Sequence, residues 1–175
     1  MKTLTQGLLL GAAVLAVASQ ASAQSSATQS TSGTGTIVQP LTLTKNNDLA
    51  FGAIVRPSSG TNTVTINETT GARALSGGGN AAAVTSTTSR ATYTVDGEGG
   101  QAYSVTVPAN FTMTRSGGVE TLLVTLVSTA ASGTLSGSAG SAGSAAFGVG
   151  GSFPLTSTTA TGAYAGSFNV TVAYN

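Results

Sequence analysis

The sequence contains no cysteine and no histidine. Without cysteine an exported chain has no disulfide bonds, and it offers neither a thiol nucleophile nor a zinc–thiolate site. Histidine is the side chain that most often acts as general base or metal ligand near neutral pH. The two absences remove most nucleophilic, acid–base and metal-site chemistry. We therefore expect a protein that is not an enzyme, with no catalytic residue, no cofactor and no metal.

Charged side chains are scarce as well. They make up 6% of the chain, whereas about 25% is usual for soluble domains. Without Lys2, which lies in the N-terminal segment described next, six basic residues become five and balance the five acidic ones, so the net charge is 5 − 5 = 0. No basic patch is available for nucleic acid or an anionic membrane, and we expect neither as a partner. Thr, Ser and Asn must then cover the wet faces of the fold.

Residues 1–23 are typical of a secretory signal peptide. Lys2 supplies a positive start, residues 8–18 are apolar, and Ala21-Ser22-Ala23 fits a small-x-small cleavage site. The apolar run is much shorter than the roughly 20 residues of a spanning helix. A retained anchor is the alternative. We expect removal of this helix, no membrane insertion of the remaining chain, and a location in the periplasm, at the cell surface or in the medium.

Residues 24–35 are small and polar and predict a flexible leader. Residues 36–175 predict a single domain, because alternating apolar residues recur at close spacing between Gly-rich turns and no helical period occurs. This pattern is typical of an all-β antiparallel sandwich. We predict strands over 37–44, 49–53, 61–67, 111–113 and 121–127, a hairpin of 91–95 with 103–107, a turn at 45–48, and loops over 68–80 and 128–146, the last with a weak hairpin as its alternative.

Two strands carry the clearest patterns. The C-terminal run alternates without a break from Gly166, which predicts a core strand with Phe168, Val170, Val172 and Tyr174 on its buried face. The run 121–127 is apolar on both sides, since Leu123 and Val127 lie opposite Leu122, Val124 and Leu126. We expect a loop or a neighbouring subunit to cover Leu123 and Val127.

Several blocks resemble a known family when they are taken together. They are Pro40-Leu-Thr-Leu-Thr-Lys45, Asp48-Leu-Ala-Phe-Gly-Ala-Ile54, the segment from Tyr93 to Pro108, Val149-Gly-Gly151 and the C-terminal strand. Their order is similar to that of the bacterial "domain of unknown function 4402" family of secreted, Gly/Thr-rich β-proteins. That family has no established activity or catalytic residues, so the resemblance implies a fold and an exported location only.

A looser resemblance, in Leu49-Ala-Phe-Gly52 and the C-terminal strand, is to spore-coat-U-like subunits of chaperone–usher pili. It implies an immunoglobulin-like, pilin-like sandwich that lacks one strand, which the N-terminal extension of a neighbouring subunit supplies. Ile37, Leu41 and Leu43 are either such donor residues or part of the domain's own first strand. The leader before them lacks the alternating bulky residues of a donor strand, which favours the second reading.

Asp96 and Glu98 are the only closely spaced carboxylates, and two carboxylates in a Gly-rich turn fall short of a calcium loop. The segment 148–151 lacks the pattern of a phosphate loop, and we interpret it as a bulge or tight corner.

The function that these patterns favour is a non-enzymatic structural subunit of a surface fibre or matrix that associates with itself. The alternative is a self-contained β-sandwich module that binds a glycan or another surface ligand. The candidate subunit-contact residues are Ile37, Leu41, Leu43, Leu123, Val127, Phe168, Val170, Val172 and Tyr174.

Overall fold

A computed structural model describes residues 25–175, and all regular structure in that range is β-strand. The predicted signal-peptide helix over 1–23 lies outside the described residues. Residues 25–35 are exposed and have no regular structure. Thr36–Asn175 forms one compact unit. Within the described part, no helix is long and apolar enough to cross a membrane.

The strands of the described part follow one another at short intervals, as the Gly-rich turns predict. They are β1 (Thr42–Asn47), β2 (Ile54–Val55), β3 (Thr61–Ile66), β4 (Arg73–Gly77), β5 (Ala82–Ala83), β6 (Ala91–Glu98), β7 (Ala102–Thr106), β8 (Asn110–Arg115), β9 (Thr121–Ser128), β10 (Ser132–Thr134), β11 (Ala142–Thr156), β12 (Tyr164–Ala165) and β13 (Thr171–Tyr174).

The strands form three antiparallel sheets. The large sheet has the order β1-β6-β11-β9-β8-β12, and β3 joins it by pairing with β11 and carries β4 on its other side. A three-stranded sheet has the order β10-β7-β13, and β2 pairs with β5. Strand β11 is 15 residues long. Because Ser152 pairs with both Thr65 and Thr125, β3 and β9 lie on opposite edges of β11. Val149 likewise pairs with both β6 and β9, so these two strands also lie on opposite edges of β11. Strands β6 and β3 therefore pair with the same edge of β11, one after the other.

The apolar faces of the large and the three-stranded sheets meet in one core. Side chains alternate faces along each strand, and the inward positions of β3, β6, β7, β9 and β11 are apolar. Full burial of each such side chain stabilises the fold by about 1.5–3 kcal/mol. The prediction of an all-β antiparallel sandwich is confirmed. The core residues are Phe51, Val64, Ile66, Ala91, Tyr93, Val95, Tyr103, Val105, Val124, Leu126, Leu135, Phe147, Val149, Phe153 and Leu155.

The predicted bulge or corner at 148–151 is instead continuous strand within β11. Its glycines have a packing role, because the chain leaving β3 crosses closely over this part of β11. A Cβ atom on Gly150 would meet the Ile66 carbonyl oxygen and would lie 2.6 Å from the Glu68 amide nitrogen. Real Cβ atoms essentially never approach backbone so closely. Glycine is needed here for space rather than for a turn.

The predicted hairpin of 91–95 with 103–107 is wrong in its pairing. Both strands exist, as β6 and β7, but β6 pairs with β1 and β11 while β7 pairs with β10 and β13. The turn between them carries the chain from one sheet to the other. A Gly-rich connection of this length suits a hairpin and a crossover alike. The choice depends on distant strands that local pattern does not reveal.

The C-terminal run is not one strand. Strand β12 pairs with β8 in the large sheet, residues 166–170 pair with no strand, and β13 pairs with β7 in the small sheet. The alternation is real, since Phe168, Val170, Val172 and Tyr174 are all half-buried against the core. The segment therefore packs as predicted on one side but crosses between sheets, and β13 lies at a sheet edge rather than in the core.

Other boundaries differ where pairing overrides local propensity. The predicted turn at 45–48 is mostly strand, because β1 continues to Asn47 through a register shift after Lys45. The predicted strand 49–53 makes only the single bridge Ala50–Ser89. The predicted loop 68–80 contains β4, and the low-complexity stretch 128–146 contains β10 and the start of β11, held by Leu135, which is 2% exposed. Three predicted strands, 61–67, 111–113 and 121–127, are confirmed as β3, β8 and β9.

Candidate functional site: an apolar groove between diverging strands

A wedge opens in the large sheet where β9 and β11 separate. They pair only over Thr125–Ser128 and Val149–Ser152. Beyond this point β9 keeps β8 on its other edge, and β11 keeps β3 on its other edge. The facing edges of residues 121–124 and 153–156 therefore have no strand partner within the described part of the chain. Backbone N–H and C=O groups along the β9 edge are available to an additional extended segment. On the β11 edge Pro154 has no N–H group, and Thr156 bonds to Thr159 through both its N–H and its carbonyl, at 3.1 and 3.2 Å.

An apolar groove lies at this wedge, with a volume of about 710 Å³. That volume is within the range of about 300–1,000 Å³ typical of ligand sites. Phe51 and Phe153 meet edge to face in its floor, with ring centroids 4.9 Å apart. The remaining apolar lining comes from the stretch 49–54, from β8 and β9, and from the end of β11. These side chains are Leu49, Ile54, Met113, Leu122 and Leu155.

The polar groups at the groove are engaged with the loop 159–164, which forms one rim. Arg56 is the only ionisable side chain in the lining besides Tyr164. Its guanidinium donates to the Thr159 carbonyl at 2.8 Å, and the Tyr164 hydroxyl donates to the Ala160 carbonyl at 2.9 Å. Neither group faces a second acid or base in the groove. The lining is suited to binding an apolar, extended segment rather than to proton transfer.

Two arginines stabilise the walls of the groove from outside. Arg73 donates to the carbonyl groups of Phe51 and Ala53, both at 2.9 Å, and so fixes the residues between the Ala50–Ser89 bridge and β2. At the β8–β9 turn, Arg115 forms a two-point ion pair with Glu120 at 2.7 and 3.0 Å. The hydrogen bonds from Arg115 lower the pKa of Glu120 to about 2. Elsewhere in the core, burial raises the pKa of Tyr93.

An exposed apolar segment precedes β1. Ile37 is 96% exposed and Val38 is 41% exposed, with no regular structure around them. Immediately after them, Gln39 is anchored on both sides of its backbone. Its N–H donates to Glu98 at 3.2 Å, and its carbonyl accepts from the Tyr174 hydroxyl at 2.7 Å. The segment therefore projects from a fixed point.

The nine candidate contact residues do not gather in one place. Leu41, Leu43 and the four C-terminal residues Phe168, Val170, Val172 and Tyr174 are partly buried against the core of their own chain. Leu43 also lies in β1, which pairs with β6, as expected for the domain's own first strand. Only Ile37, Leu123 and Val127 offer large exposed surface. Leu123 and Val127, on the outer side of β9, are 56% and 50% exposed, so no loop of the described chain covers them.

The two closely spaced carboxylates have different surroundings. Asp96 is exposed, whereas Glu98 is 3% exposed and accepts backbone N–H groups from Gln39 and Gly140. These bonds connect the residues before β1 and the turn before β11 to the end of β6. The buried Glu98 carboxylate therefore has a structural role. Among the described residues no three His, Cys, Asp or Glu side chains lie close enough to hold a metal ion.

The groove was not visible in the sequence. Its lining comes from five separated segments, and the stretch 49–54 looked like an ordinary strand because Leu49, Phe51 and Ala53 alternate. The one available signal was Pro154, since proline cannot donate to a ladder and indicates an open strand edge.

Comparisons with known proteins place the chain in a family without assigning an activity. No curated protein matches it, and no solved structure matches it. The match that exists covers residues 41–174, from β1 to the end of β13, and so includes every wall of the groove. The chain belongs to the family described as "Domain of unknown function (DUF4402)".

Proposed function

We propose that the protein is a non-enzymatic, extracytoplasmic structural subunit that polymerises head to tail into a surface fibre or matrix. The observation that carries the proposal is the groove between β9 and β11, an apolar site beside the open edge of β9. We further propose that its occupant is the segment Thr36–Val38 of a neighbouring copy. Export rests on the signal-peptide pattern of residues 1–23.

The segment and the groove complement each other in chemistry. Ile37 exposes nearly its whole side chain, and the groove offers half-buried apolar side chains and one engaged cation. An extended segment adds both main-chain hydrogen bonds at the β9 edge and apolar burial. A hydrocarbon ligand would leave those backbone groups without partners. Burying a side chain of this size is worth about 1.5–3 kcal/mol.

The reach of the N-terminal segment permits contact with a neighbour. Ile37 lies two residues before the anchored Gln39, so it can extend at most about 7 Å from that point, at 3.3–3.6 Å per residue. The groove of the neighbouring copy must therefore lie directly against this end of the domain. A contact between two different surfaces of the same molecule is heterologous, and such contacts propagate into filaments when the rotation does not close a ring. Segment and groove lie on every copy, so each subunit donates once and accepts once.

The alternative function, a carbohydrate- or surface-binding module, has less support. Its ligand would use the threonine-rich outer side of the large sheet, where side chains are small. The outer positions of β3, β8, β9 and β11 carry no aromatic ring on which a sugar could stack. Apolar surface on this side comes from Leu123 and Val127 instead.

Two variants test the head-to-tail contact from its two sides. Ile37→Ser removes the apolar side chain of the segment. Ala163→Trp fills the groove from the exposed rim without touching the core. We expect the wild-type protein to form concentration-dependent polymers, seen by light scattering after size exclusion and as fibres by electron microscopy. Each variant alone should lack the head-to-tail contact and form no polymer.

A mixture of the two variants gives the sharpest outcome. Ala163→Trp still has a segment and Ile37→Ser still has a groove, so an equimolar mixture should yield a heterodimer that cannot extend. The control is Val119→Ser, which removes an 89% exposed valine from the β8–β9 turn and should polymerise like the wild type. A wild-type protein that stays monomeric at high concentration, or variants that polymerise normally, would refute the proposal.

A further inference from the structure

The outer side of the large sheet forms a continuous uncharged surface across five strands, here called the threonine face. One row of hydrogen-bonded neighbours crosses it completely, from β4 through β3, β11 and β9 to β8. The members of that row are Ala74, Thr65, Ser152, Thr125 and Asn110. Side chains two residues away on each strand share the face. These are Ser76, Thr61, Thr63, Pro154, Thr156, Thr121, Leu123, Val127, Thr112 and Thr114.

No position of the threonine face is ionisable. Every one of its side chains is exposed or half-buried in the chain itself. Leu123 and Val127 flank Thr125 along β9 and are 56% and 50% exposed. Charged residues border the face at two places. Glu68 and Arg90 lie over Gly150 and Gly148 of β11, and Arg115 is paired with Glu120 at the end of the β8–β9 hairpin. Covering the face therefore desolvates hydroxyl and methyl groups but no charge, which avoids the largest cost of burial.

We propose that the threonine face is a lateral interface at which a second copy of the chain packs face to face. The face is complementary to itself, because neutral surface meets neutral surface. Its small side chains permit sheet-on-sheet packing at about 10 Å on the side of Ser152 that points away from the chain crossing over Gly150. The formal charge of the whole chain is +1. Long-range repulsion between copies is therefore small.

The symmetry of this contact differs from that of the head-to-tail contact. A surface that packs against itself is isologous and closes at two copies. It cannot by itself build a fibre, but it can join two fibres side by side. The inference thus goes beyond the proposed polymerisation and does not depend on it.

The size of the face sets the expected affinity. It presents about 15 residues per copy, fewer than the roughly 20–30 per side of a standard stable interface. Only Leu123 and Val127 add large apolar surface at its centre. We therefore expect a dissociation constant in the micromolar range, which corresponds to a binding free energy of about −8 kcal/mol. Because no charge is involved, it should change less than about twofold between low and high salt.

The test uses the double variant Ile37→Ser/Ala163→Trp, in which the head-to-tail contact is removed, so that the two proposals fail separately. Sedimentation equilibrium should show a monomer–dimer equilibrium. Adding Thr125→Lys places like charges at the centre of the face and should weaken the dimer at least tenfold. The matched control is Thr171→Lys, an exposed threonine of β13 in the other sheet, which should leave the dissociation constant unchanged.

Three results would overturn the inference. One is a double variant that remains monomeric across the concentration range. Another is an equal effect of Thr125→Lys and Thr171→Lys on dimerisation. The third is a monomeric protein that is retained on immobilised polysaccharide and loses retention only with Thr125→Lys, because the face would then bind a glycan. Circular dichroism melting curves confirm that both lysine variants fold.

Discussion

At the scale of single residues, a few side chains and backbone positions carry roles that their neighbours do not share. Glu120 shows this for electrostatics and Gly150 for packing. Glu120 is surface-exposed, yet Arg115 holds it by two hydrogen bonds while the carboxylate is ionised. Gly150 lies in the longest strand, where added side-chain volume has nowhere to go.

The Glu120 carboxylate should titrate near pH 2 rather than near its ordinary value of 4.5. Its folded pKa is depressed, so the ion pair is fully formed above pH 4.5 and is lost as the pH falls from there towards 2. NMR titration of the Glu120 side-chain carboxyl measures this directly. In Arg115→Gln the midpoint should return towards 4.5. A wild-type midpoint already near 4.5 would contradict the geometry.

Gly150→Ala should destabilise the fold by about 1–3 kcal/mol, because its Cβ would press into the backbone of Ile66 and Glu68. Urea unfolding monitored by circular dichroism gives the change in free energy. Gly78→Ala is the matched control, since a Cβ there meets nothing within 4 Å and its backbone angle suits alanine. That control should be neutral or stabilising by up to about 1 kcal/mol. Equal losses in both variants would show that crowding at β11 is not the cause.

At the scale of elements, the sandwich depends on strands that leave one sheet and enter the other. The chain passes between the large and the three-stranded sheet five times, before and after β7, before and after β10, and before β13. Tyr174, at the end of β13, contacts the first of these crossings: its hydroxyl accepts the Glu98 N–H at 2.7 Å and donates to the Gln39 carbonyl at 2.7 Å. One hydroxyl thus links the C-terminal strand to the end of β6 and to the residues before β1.

Tyr174→Phe should cost about 1–3 kcal/mol, because it leaves the N–H of the buried Glu98 and the Gln39 carbonyl without this partner. Tyr164→Phe is the matched control. Its hydroxyl donates only to the Ala160 carbonyl, a single bond worth roughly 0.5–1.5 kcal/mol. Thermal and urea unfolding of both variants measure the difference. The linking role would be refuted if Tyr164→Phe were the more damaging change.

The anchoring of Gln39 has a further consequence for Ile37. Because the Tyr174 network fixes the backbone two residues later, Ile37 projects from a defined position. Loss of the network should therefore loosen the segment as well as the sandwich, and Tyr174→Phe should polymerise less readily than Tyr164→Phe under conditions where both remain folded.

At the scale of the whole molecule, two uncovered surfaces remain on a chain with little charge. The groove and the segment around Ile37 differ in shape and suit a contact that propagates. The threonine face matches itself and suits a contact that closes. Together they would give fibres that associate laterally. The scarcity of charge, 6% of residues, matters at this scale because nothing on the described surface opposes close approach of two copies.

The class of fold and the positions of its clearest strands follow from the sequence alone. Alternation with period 2 depends only on which residues are apolar, so β3, β8, β9 and the inward side chains of the C-terminal run could be predicted. The outward orientation of Leu123 and Val127 could be predicted for the same reason. The lack of cysteine and histidine likewise excludes thiol, imidazole and zinc–thiolate chemistry on composition alone, because those reactions need side chains that the chain does not have.

Which strands pair, and where they separate, depends on the tertiary structure. The turn after β6 is compatible with a hairpin, yet β7 joins another sheet because its partners β10 and β13 lie far along the chain. The groove exists because β9 and β11 stop pairing beyond Thr125 and Ser152, while each keeps the neighbour on its other edge. Where pairing stops is settled by packing among segments distant in sequence, and no local pattern encodes it.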